Sequence, residues 1–400
     1  MPAEELVGPA DVGPVAHGGH CVVRDQGRVI FVRHALPGER VMIKITDRSH
    51  DRYWRGDAVQ ILDPGPGRVQ PPCPIAGPGR CGGCDFQHAD PATQRELKRA
   101  VVAEQLLRLA DLDWTGEVEP AGGDPDGLGW RSRMRYHAGP DQDSADDSFG
   151  LRAHRSDRVI MLPADGCRIA APSIAVPPRV PEGADSIIGV AAAGGTVWAS
   201  EHHPAGTVLE RAGDREFTVG VDGFWQAHPA APRLLSEAVI TGLAPRRGES
   251  AFDLYCGVGL FAAALVDHGC GPVTGVEGSK PAVASARRNL ADVGRRARFV
   301  AGSVERVLER PKARGGLPDQ VDLVVLDPPR VGAGRRVVAA VARRQPRAIA
   351  YVACDPAALA RDLAYFGDRG YRPVSLRAFD LFPMTHHVEC VAILEPAPAD

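Results

Sequence analysis

The stretch SAFDLYCGVGLFAAALV, residues 250–266, places a short apolar run before two glycines and a second apolar run after them. A junction of this kind is typical of a buried strand that turns directly into a helix. More apolar runs follow, separated by helical segments: PVTGVE (272–277), ARFVAGSV (297–304), VDLVVLDPPR (321–330) and AIAYVACDP (348–356). Strands and helices that alternate at this spacing predict an α/β domain with a Rossmann-like, doubly wound parallel sheet from about residue 213 onward.

The composition limits the class of protein. The chain has 400 residues, which predicts two or three domains rather than one core. Its net charge of −3 excludes a strongly basic nucleic-acid binder but leaves room for a local basic patch. No apolar run approaches the roughly 20 residues of a membrane span, and the N-terminal MPAEELVG lacks a signal-peptide pattern. We therefore expect a cytoplasmic, monomeric protein without a membrane partner.

The residues before 213 fall into two β-rich parts. Residues 14–62 alternate between apolar and polar with breaks at Gly, Pro and Asp, which predicts a small antiparallel barrel. A Pro/Gly-rich connector follows, and residues 91–112 have the apolar spacing of a helix. We expect three domains: a barrel over 1–66, a central β-rich domain with a cysteine cluster over 67–212, and the α/β domain over 213–400.

The glycine junction indicates a nucleotide-type ligand. Gly257 and Gly259 follow a strand and open a helix, whose free N–H groups and close backbone suit such a ligand. Glu277 ends the next strand, where a carboxylate can accept both hydroxyls of a ribose. GVGLFA fits the G-x-G-x-x-A pattern of NAD enzymes, but Asp253, four residues before the first glycine, resembles class I S-adenosylmethionine methyltransferases more. Asp327, held by two prolines in LDPPR, resembles an active-site loop of the same enzymes.

A thiol and a carboxylate are expected near this ligand. In an open α/β sheet, ligands bind outside the carboxyl ends of the strands, and Cys354 ends the strand AIAYVA. Glu389 lies just inside the apolar strand ECVAIL, where a carboxylate is costly unless it is paired or used. Such a pair beside a methyl donor suggests addition chemistry on an electron-poor ring.

A second group of cysteines predicts a metal centre. Cys73, Cys81 and Cys84 have the spacing C-x7-C-x2-C in a Gly/Pro-rich loop, and Cys167 supplies a fourth thiolate. Four thiolates suit zinc or a 4Fe-4S iron–sulfur cluster, and the spacing alone does not separate the two. The remaining cysteines are assigned to packing: Cys21, Cys256, Cys270 and Cys390.

Several motifs taken together resemble the RNA uridine-C5 methyltransferase family. These are FWQ (224–226), DLYCGVG (253–259), LDPPR (326–330), YVACDP (351–356) and DLFPMTHHVE (380–389). HGG (17–19) and GRVIFVRHALPGERV (27–41) resemble the TRAM RNA-binding barrel, an OB-like fold common in that family. The resemblance covers most of the chain, and its strength comes from the order of the motifs rather than from any one of them.

The resemblance implies methyl transfer from S-adenosylmethionine to C5 of a uridine in RNA. Cys354 would add to C6 of the uracil, and Glu389 would remove the C5 proton. We expect a thiol that is partly exposed and of lowered pKa. The family tends to carry Asn where this chain has His228, a departure that concerns positioning rather than the reaction.

The resemblance also implies the ligand contacts. Gln226 and Asp327 would hold the uracil and the methionine end of the cofactor, and Tyr255, Gly257 and Glu277 would hold its nucleoside end. The resemblance to members of the family that carry a cluster favours a 4Fe-4S cluster over zinc at the four cysteines. It also favours ribosomal RNA over transfer RNA as the substrate. Two other functions stay open: a non-catalytic iron–sulfur RNA-binding protein and an NAD-dependent oxidoreductase.

Two groups of residues are candidates for contact with RNA. Arg131, Arg133 and Arg135 alternate in WRSRMRYH, which predicts either a stripe along phosphates or a merely solvated strand face. Phe224 or Trp225 is suited to stack on a flipped base, although either aromatic also suits a core position.

Overall fold

Three sheets of five or more strands account for most of the fold. The computed structural model describes residues 6–123, 126–140, 147–179, 183–203, 206–311, 314 and 316–398. None of the helices in these ranges is both long and apolar enough to cross a membrane.

The N-terminal sheet encloses its own core. Its strands are β1 (Leu6–Asp11), β2 (Val15–Ala16), β3 (His20–Asp25), β4 (Arg28–Arg33), β5 (Arg40–Asp47) and β6 (Tyr53–Asp63). They lie in the order β1-β5-β6-β4-β3-β2. Alternate side chains such as Val23, Ile30 and Ile43 are fully buried, as the period-two pattern predicts. The sheet is not purely antiparallel, because β4 pairs in parallel with β6.

A long helix joins the N-terminal sheet to the rest of the chain. α1 (Pro91–Ala110) begins where Asp90 accepts a hydrogen bond from the Thr93 N–H at 2.7 Å, and it ends at Asp111 in the left-handed conformation. The sequence predicts this helix to within two residues.

The central region forms a five-stranded antiparallel sheet in the order β10-β9-β8-β11-β12 and a separate hairpin of β13 and β14. The strands that follow α1 are β7 (Val118–Pro120), β8 (Arg133–Pro140), β9 (Asp147–Arg152), β10 (Val159–Met161), β11 (Ser186–Ala192), β12 (Gly195–Ser200), β13 (Thr207–Ala212) and β14 (Arg215–Gly220). β7 leaves this region and pairs with the C-terminal sheet. The three-domain division at residues 66 and 212 stays a prediction.

The C-terminal region confirms the α/β prediction. Its elements are α2 (Ala231–Leu243), β15 (Ala251–Leu254), α3 (Leu260–Asp267), β16 (Val273–Glu277), α4 (Lys280–Asn289), β17 (Ala297–Ala301), α5 (Val304–Glu309), β18 (Leu323–Leu326), α6 (Gly334–Ala342), β19 (Ala348–Ala353), α7 (Pro356–Gly367), β20 (Tyr371–Asp380) and β21 (Glu389–Pro396). The sheet has the order β17-β16-β15-β18-β19-β21-β20-β7, with β15 to β19 parallel and β21 antiparallel to both of its neighbours. The strand order reverses between β15 and β18, which is where such sheets bind ligands.

A buried ion pair connects α1 to the C-terminal sheet. Lys98 is 1% exposed, and its Nζ lies 2.5 Å from Asp380 Oδ1 and 3.0 Å from the Phe382 carbonyl oxygen. Burial lowers the pKa of Lys98, and Asp380 opposes that shift. The pair therefore fixes the end of β20 against the helix.

Removal of one partner should destabilise the chain strongly. Lys98→Met leaves the Asp380 carboxylate buried without its cation, so we expect a loss of about 3–5 kcal/mol in the free energy of unfolding. Urea denaturation measures this loss. Arg99→Met serves as the control, since Arg99 pairs with Glu96 on the exposed face of the same helix and should cost less than about 1 kcal/mol. Equal losses in the two variants would contradict the role given to the buried pair.

Candidate functional site

The glycine loop lies at the carboxyl end of β15. Tyr255 has φ 66°, an uncommon conformation for a bulky residue, and its N–H donates to the Val276 carbonyl at 2.9 Å. Gly257 has φ 52°, and a Cβ built on it would have no neighbour within 4 Å. Glu277 accepts hydrogen bonds from the N–H groups of Gly257 at 3.1 Å and Ser279 at 2.6 Å. The backbone at Gly257 therefore faces open space beside the Glu277 carboxylate.

Two carboxyl groups lie at this end of the sheet, buried Asp253 and half-buried Asp327. Asp253 is fully buried; its Oδ2 accepts from the Ala262 N–H at 2.8 Å, and its Oδ1 has no hydrogen-bond partner among the described residues. Burial raises the pKa of Asp253 to about 8, and Asp327 and Glu277 add to that shift. Burial also raises the pKa of Asp327 to about 7, with a further contribution from Glu277. Such an excess of carboxyl groups suits a cationic ligand.

Strand register brings Cys354 and Glu389 together. β19 and β21 are antiparallel, and their last pair is Ala353 with Cys390. Cys354 directly follows β19 and Glu389 begins β21, so this pairing brings both residues to the same edge of the sheet. Cys354 is half-buried and Glu389 is 3% exposed. A thiol and a carboxyl group thus share the ligand edge of the sheet, although 35 residue numbers separate them in the chain.

The electrostatics of this pair differ from the expectation. The pKa of Cys354 is not lowered: burial raises it to about 11, Glu389 adds to the shift, and Arg330 opposes it. Burial also raises the pKa of Glu389 well above its usual range, with Asp327 adding to the shift and Arg330 opposing it. The prediction of a lowered pKa was wrong because burial of the thiol, the largest cause, and the neighbouring acids raise the pKa of Cys354 more than Arg330 lowers it. Burial thus favours the protonated form of both groups.

Gln226 lies buried without an internal partner. It is 7% exposed, and its amide makes no hydrogen bond within the described ranges. Its neighbour Trp225 packs in the core against Phe217, with ring centroids 5.2 Å apart, whereas Phe224 is 73% exposed. Of the two aromatic candidates, only Phe224 is therefore free to contact a base.

The loop after Asp327 is held by residues that the sequence reading did not assign. Asp362 on α7 accepts from the N–H groups of Ala333 at 2.7 Å and Gly334 at 3.1 Å, and from the Tyr351 hydroxyl at 2.6 Å. Asp362 is fully buried on the apolar face of its helix. An acidic residue among apolar helix positions is the sequence signal that could have identified it. Arg330 ends the LDPPR motif, and the sequence predicts no role for it. Its Nη2 lies 3.1 Å from His387 Nε2.

All four predicted metal-ligand cysteines line one cavity. This cavity has a volume of about 150 Å³ and contains Cys73, Cys81, Cys84 and Cys167 in its wall. Three arginines also line it: Arg131, Arg135 and Arg168. The structure thus joins Cys167, more than 80 residues away along the chain, to the loop of the other three.

The sulfur atoms of this cavity receive N–H donors. Gly83 N–H lies 3.4 Å from Cys81 Sγ, and Gln87 Nε2 lies 3.2 Å from Cys84 Sγ. Burial raises the pKa of Cys167, while the N–H groups of Ile169 and Ala170 oppose that shift. Donors aimed at sulfur stabilise thiolates rather than thiols, as expected of metal ligands.

The arrangement is not that of a single-ion site. No three Cys, His, Asp or Glu side chains in the described part of the chain are grouped so as to hold a metal ion. A tetrahedral zinc site draws its four ligands to within about 2.3 Å of one atom. In a cubane cluster each thiolate binds a different iron, so the four sulfurs surround a larger body. Both zinc and a 4Fe-4S cluster therefore stay predictions for these four cysteines.

The predicted arginine stripe was wrong for Arg133. β8 begins at Arg133, whose Nη2 lies 3.0 Å from Glu210 Oε1 with both side chains about nine-tenths buried. Arg133 also donates to the Val221 and Gly223 carbonyl oxygens at 3.2 and 3.3 Å. Arg131 lines the cysteine cavity, and Arg135 is exposed. Arg133, the middle residue of the three, is therefore held in an internal ion pair and does not form part of a stripe along the strand.

The packing cysteines lie where the sequence places them. Burial leaves four of them at 5% exposure or less: Cys21, Cys256, Cys270 and Cys390. None of these four lines the cysteine cavity.

Two families match separate parts of the chain. Residues 222–397 match the family described as tRNA (Uracil-5-)-methyltransferase. Residues 8–59 match the TRAM domain.

Whole-length relatives are also similar to the chain. A protein of Streptomyces avermitilis described as an uncharacterized RNA methyltransferase is 49% identical over 97% of this chain and 98% of its own length. The 23S rRNA (uracil(1939)-C(5))-methyltransferase RlmD of Thiobacillus denitrificans is 31% identical over 96% of this chain and 99% of its own length. The same fold occurs in the crystal structure of Pyrococcus abyssi tRNA (uracil-54, C5)-methyltransferase in complex with S-adenosyl-L-homocysteine, with a TM-score of 0.72, 22% identity, and coverage of 96% of this chain and 99% of that one.

Proposed function

Because the chain belongs to the family of RNA uracil-C5 methyltransferases, we propose that it transfers the methyl group of S-adenosylmethionine to C5 of a uridine in ribosomal RNA. The observation that carries this proposal is the pairing of β19 with β21, which brings Cys354, just after one strand, and Glu389, at the start of the other, to the same edge of the sheet. Ribosomal RNA is favoured over transfer RNA because relatives of whole-chain length include enzymes named for 23S rRNA.

Cys354 acts as the nucleophile. Its thiolate sulfur bonds to C6 of the uracil, and the C5=C6 electron pair moves into the ring to give an enolate. C5 then takes the methyl group as the methyl–sulfonium bond breaks, which releases S-adenosylhomocysteine. S-adenosylmethionine supplies only this electrophilic methyl group.

Glu389 completes the reaction. Its carboxylate takes the proton from C5, the electron pair re-forms C5=C6, and the bond from C6 to the Cys354 sulfur breaks to regenerate the thiolate. The proton passes from Glu389 to solvent. A carboxyl group of raised pKa holds that proton more readily than an exposed one, which suits a general base that must act near neutral pH.

The pocket beside Gly257 fits the methyl donor. Its open backbone and the Glu277 carboxylate suit the nucleoside end together with Tyr255, and Asp327 suits the methionine end. The partnerless oxygen of Asp253 and the raised pKa of Asp327 fit a site that a cation neutralises when it binds.

The uridine must leave its stack to reach Cys354. Gln226 offers a buried amide that can pair with the polar edge of the uracil, and exposed Phe224 can stack on a neighbouring base. His228 lies 5.8 Å from the Trp130 ring, centroid to centroid, and its Nδ1 accepts from the Ala230 N–H at 3.1 Å. His228, which stands where the family tends to carry Asn, thus holds the backbone that follows Gln226.

Cys73, Cys81, Cys84 and Cys167 would hold a 4Fe-4S cluster. The shared cavity, the N–H donors to sulfur and the three nearby arginines fit a buried group of net negative charge. Such a cluster would cross-link the loop of three cysteines to Cys167.

Substitution of the two catalytic residues should give different products. Cys354→Ala should lose methyl transfer and form no adduct with RNA that contains 5-fluorouridine, because no sulfur is present to add to C6. Glu389→Gln should slow turnover by about 10²–10⁴-fold yet still form the adduct. Mass spectrometry of the peptide that contains residue 354 detects the adduct, and Cys270→Ala is the matched thiol control with unchanged activity. An adduct on Cys354→Ala would contradict the assignment, and methylation confined to transfer RNA would overturn the choice of substrate.

A cation in the pocket should activate Cys354. Sinefungin carries an ammonium group where S-adenosylhomocysteine has a neutral sulfur, so it should lower the pKa of Cys354, while the two ligands have nearly the same shape. At about pH 8, we expect iodoacetamide to alkylate Cys354 about tenfold faster with sinefungin, a factor that corresponds to one pKa unit. Peptide mass spectrometry follows the rate. Identical rates with the two ligands would show that the ligand charge does not reach the thiol.

The metal assignment is tested by composition. Protein purified without oxygen should contain about four iron and four sulfide per chain, with broad visible absorbance. Cys84→Ala should lose most of the iron, and Cys270→Ala should retain it. Zinc at about one per chain, with no sulfide, would overturn the cluster.

A further inference from the structure

The loop that leads into Glu389 is held by the N-terminal part of the chain. This loop, residues 381–388, is named the catalytic loop here. The Met384 N–H donates to Gln94 Oε1 at 2.7 Å, and the Met384 carbonyl accepts from the N–H groups of Asp85 and Phe86, both at 2.9 Å. The conformation of the catalytic loop thus depends on α1 and on the segment that carries Cys73, Cys81 and Cys84 and continues to Phe86, which is named the cysteine loop here.

Asp85 joins three segments through one carboxylate. Its Oδ2 accepts from the His386 backbone N–H at 3.1 Å and lies 2.6 Å from His386 Nδ1. Its Oδ1 accepts from Arg33 Nη2 on β4 at 3.2 Å, with both side chains only 10% exposed. Asp85 directly follows Cys84, so it connects the cysteine loop, the N-terminal sheet and the catalytic loop.

The HGG turn (17–19) of the N-terminal sheet packs against His386 in the catalytic loop. Gly19 has φ 76°, and a Cβ on it would lie 2.5 Å from His386 Cβ. Only glycine fits there, which shows how closely the turn covers the catalytic loop.

The same turn holds the segment that carries Cys354. His17 Nε2 lies 3.0 Å from Asp355 Oδ2, and the other oxygen of Asp355 accepts from the Ala358 N–H at 2.8 Å to cap α7. Asp355 follows Cys354 directly. Both catalytic segments are therefore attached to residues from the first quarter of the chain.

We propose that Asp85 and His17 are positioning residues for methyl transfer. Asp85 fixes the approach to Glu389 through His386, and His17 fixes the segment of Cys354 through Asp355. This inference rests on the proposed function. It predicts that the N-terminal part of the chain contributes to catalysis in addition to any contact with RNA.

Steady-state kinetics with the full chain test the proposal. Asp85→Asn, His386→Asn and His17→Gln should each lower kcat by at least about tenfold and change the KM for RNA by less than about threefold, because misplaced reacting groups slow the chemistry without weakening binding. The double variant Asp85→Asn/His386→Asn should be no slower than the slower single variant, since both break one bridge. Each variant should also form the 5-fluorouridine adduct about tenfold more slowly.

Two controls separate positioning from damage. Glu216→Gln breaks an exposed pair with Arg211 on the β13–β14 hairpin, and His202→Gln removes an exposed hydrogen bond to the Gly183 carbonyl; both should retain wild-type kcat. His386→Asn replaces none of the four cysteines, so its iron content should match that of the wild type. If Asp85→Asn does not fold, His386→Asn and His17→Gln decide the matter. Wild-type kcat in those two, or a kcat loss that follows the loss of iron, overturns the proposal, whereas an inactive wild type would count against the function itself.

Discussion

The antiparallel register between β19 and β21 is the constraint on which the site depends. The last pair, Ala353 with Cys390, brings Cys354, just after β19, and Glu389, at the start of β21, to the same edge of the sheet. A slip of one residue would turn every side chain of β21 to the other face and remove the carboxyl group from the thiol. The register is itself fixed by burial, because every residue from Cys390 to Leu394 is buried on one side of the sheet or the other.

Burial and charge at this edge of the sheet favour the neutral forms of its carboxyl groups and thiol. Asp253, Asp327 and Glu389 are carboxyl groups of raised pKa, and Arg330 is the cation that opposes the shift at Cys354 and Glu389. Under the proposed function, a bound sulfonium cation would lower the pKa of each of these groups, because a nearby positive charge favours the anionic form.

The sequence predicted the fold more completely than the site. Local patterns were sufficient for the parallel sheet, for α1 and for the strand-end placement of Glu277, Asp327 and Cys354, because burial and turn chemistry are written in neighbouring residues. β7 was not predicted to join the C-terminal sheet, since a three-residue strand has no pattern of its own. The pKa of Cys354 was predicted in the wrong direction because it depends on the burial of the thiol and on acids from other strands, neither of which is visible in the neighbouring residues. Arg133 was misread for the same reason: its partner, Glu210, lies 77 residues away.

Contacts between residues that are far apart in the sequence connect the three predicted parts of the chain. His17 and Asp355 are 338 residues apart, and Asp85 and His386 are 301 apart, yet the members of each pair lie within hydrogen-bond distance of each other, close in sequence to Cys354 or Glu389. The buried pair of Lys98 and Asp380 fixes the start of the catalytic loop in the same way. A loop of eight residues between two strands could adopt many conformations on its own, and ordering it costs conformational entropy. Contacts from the N-terminal sheet, the cysteine loop and α1 supply that order, so a boundary drawn between sheets divides the chain by architecture and not by catalytic role.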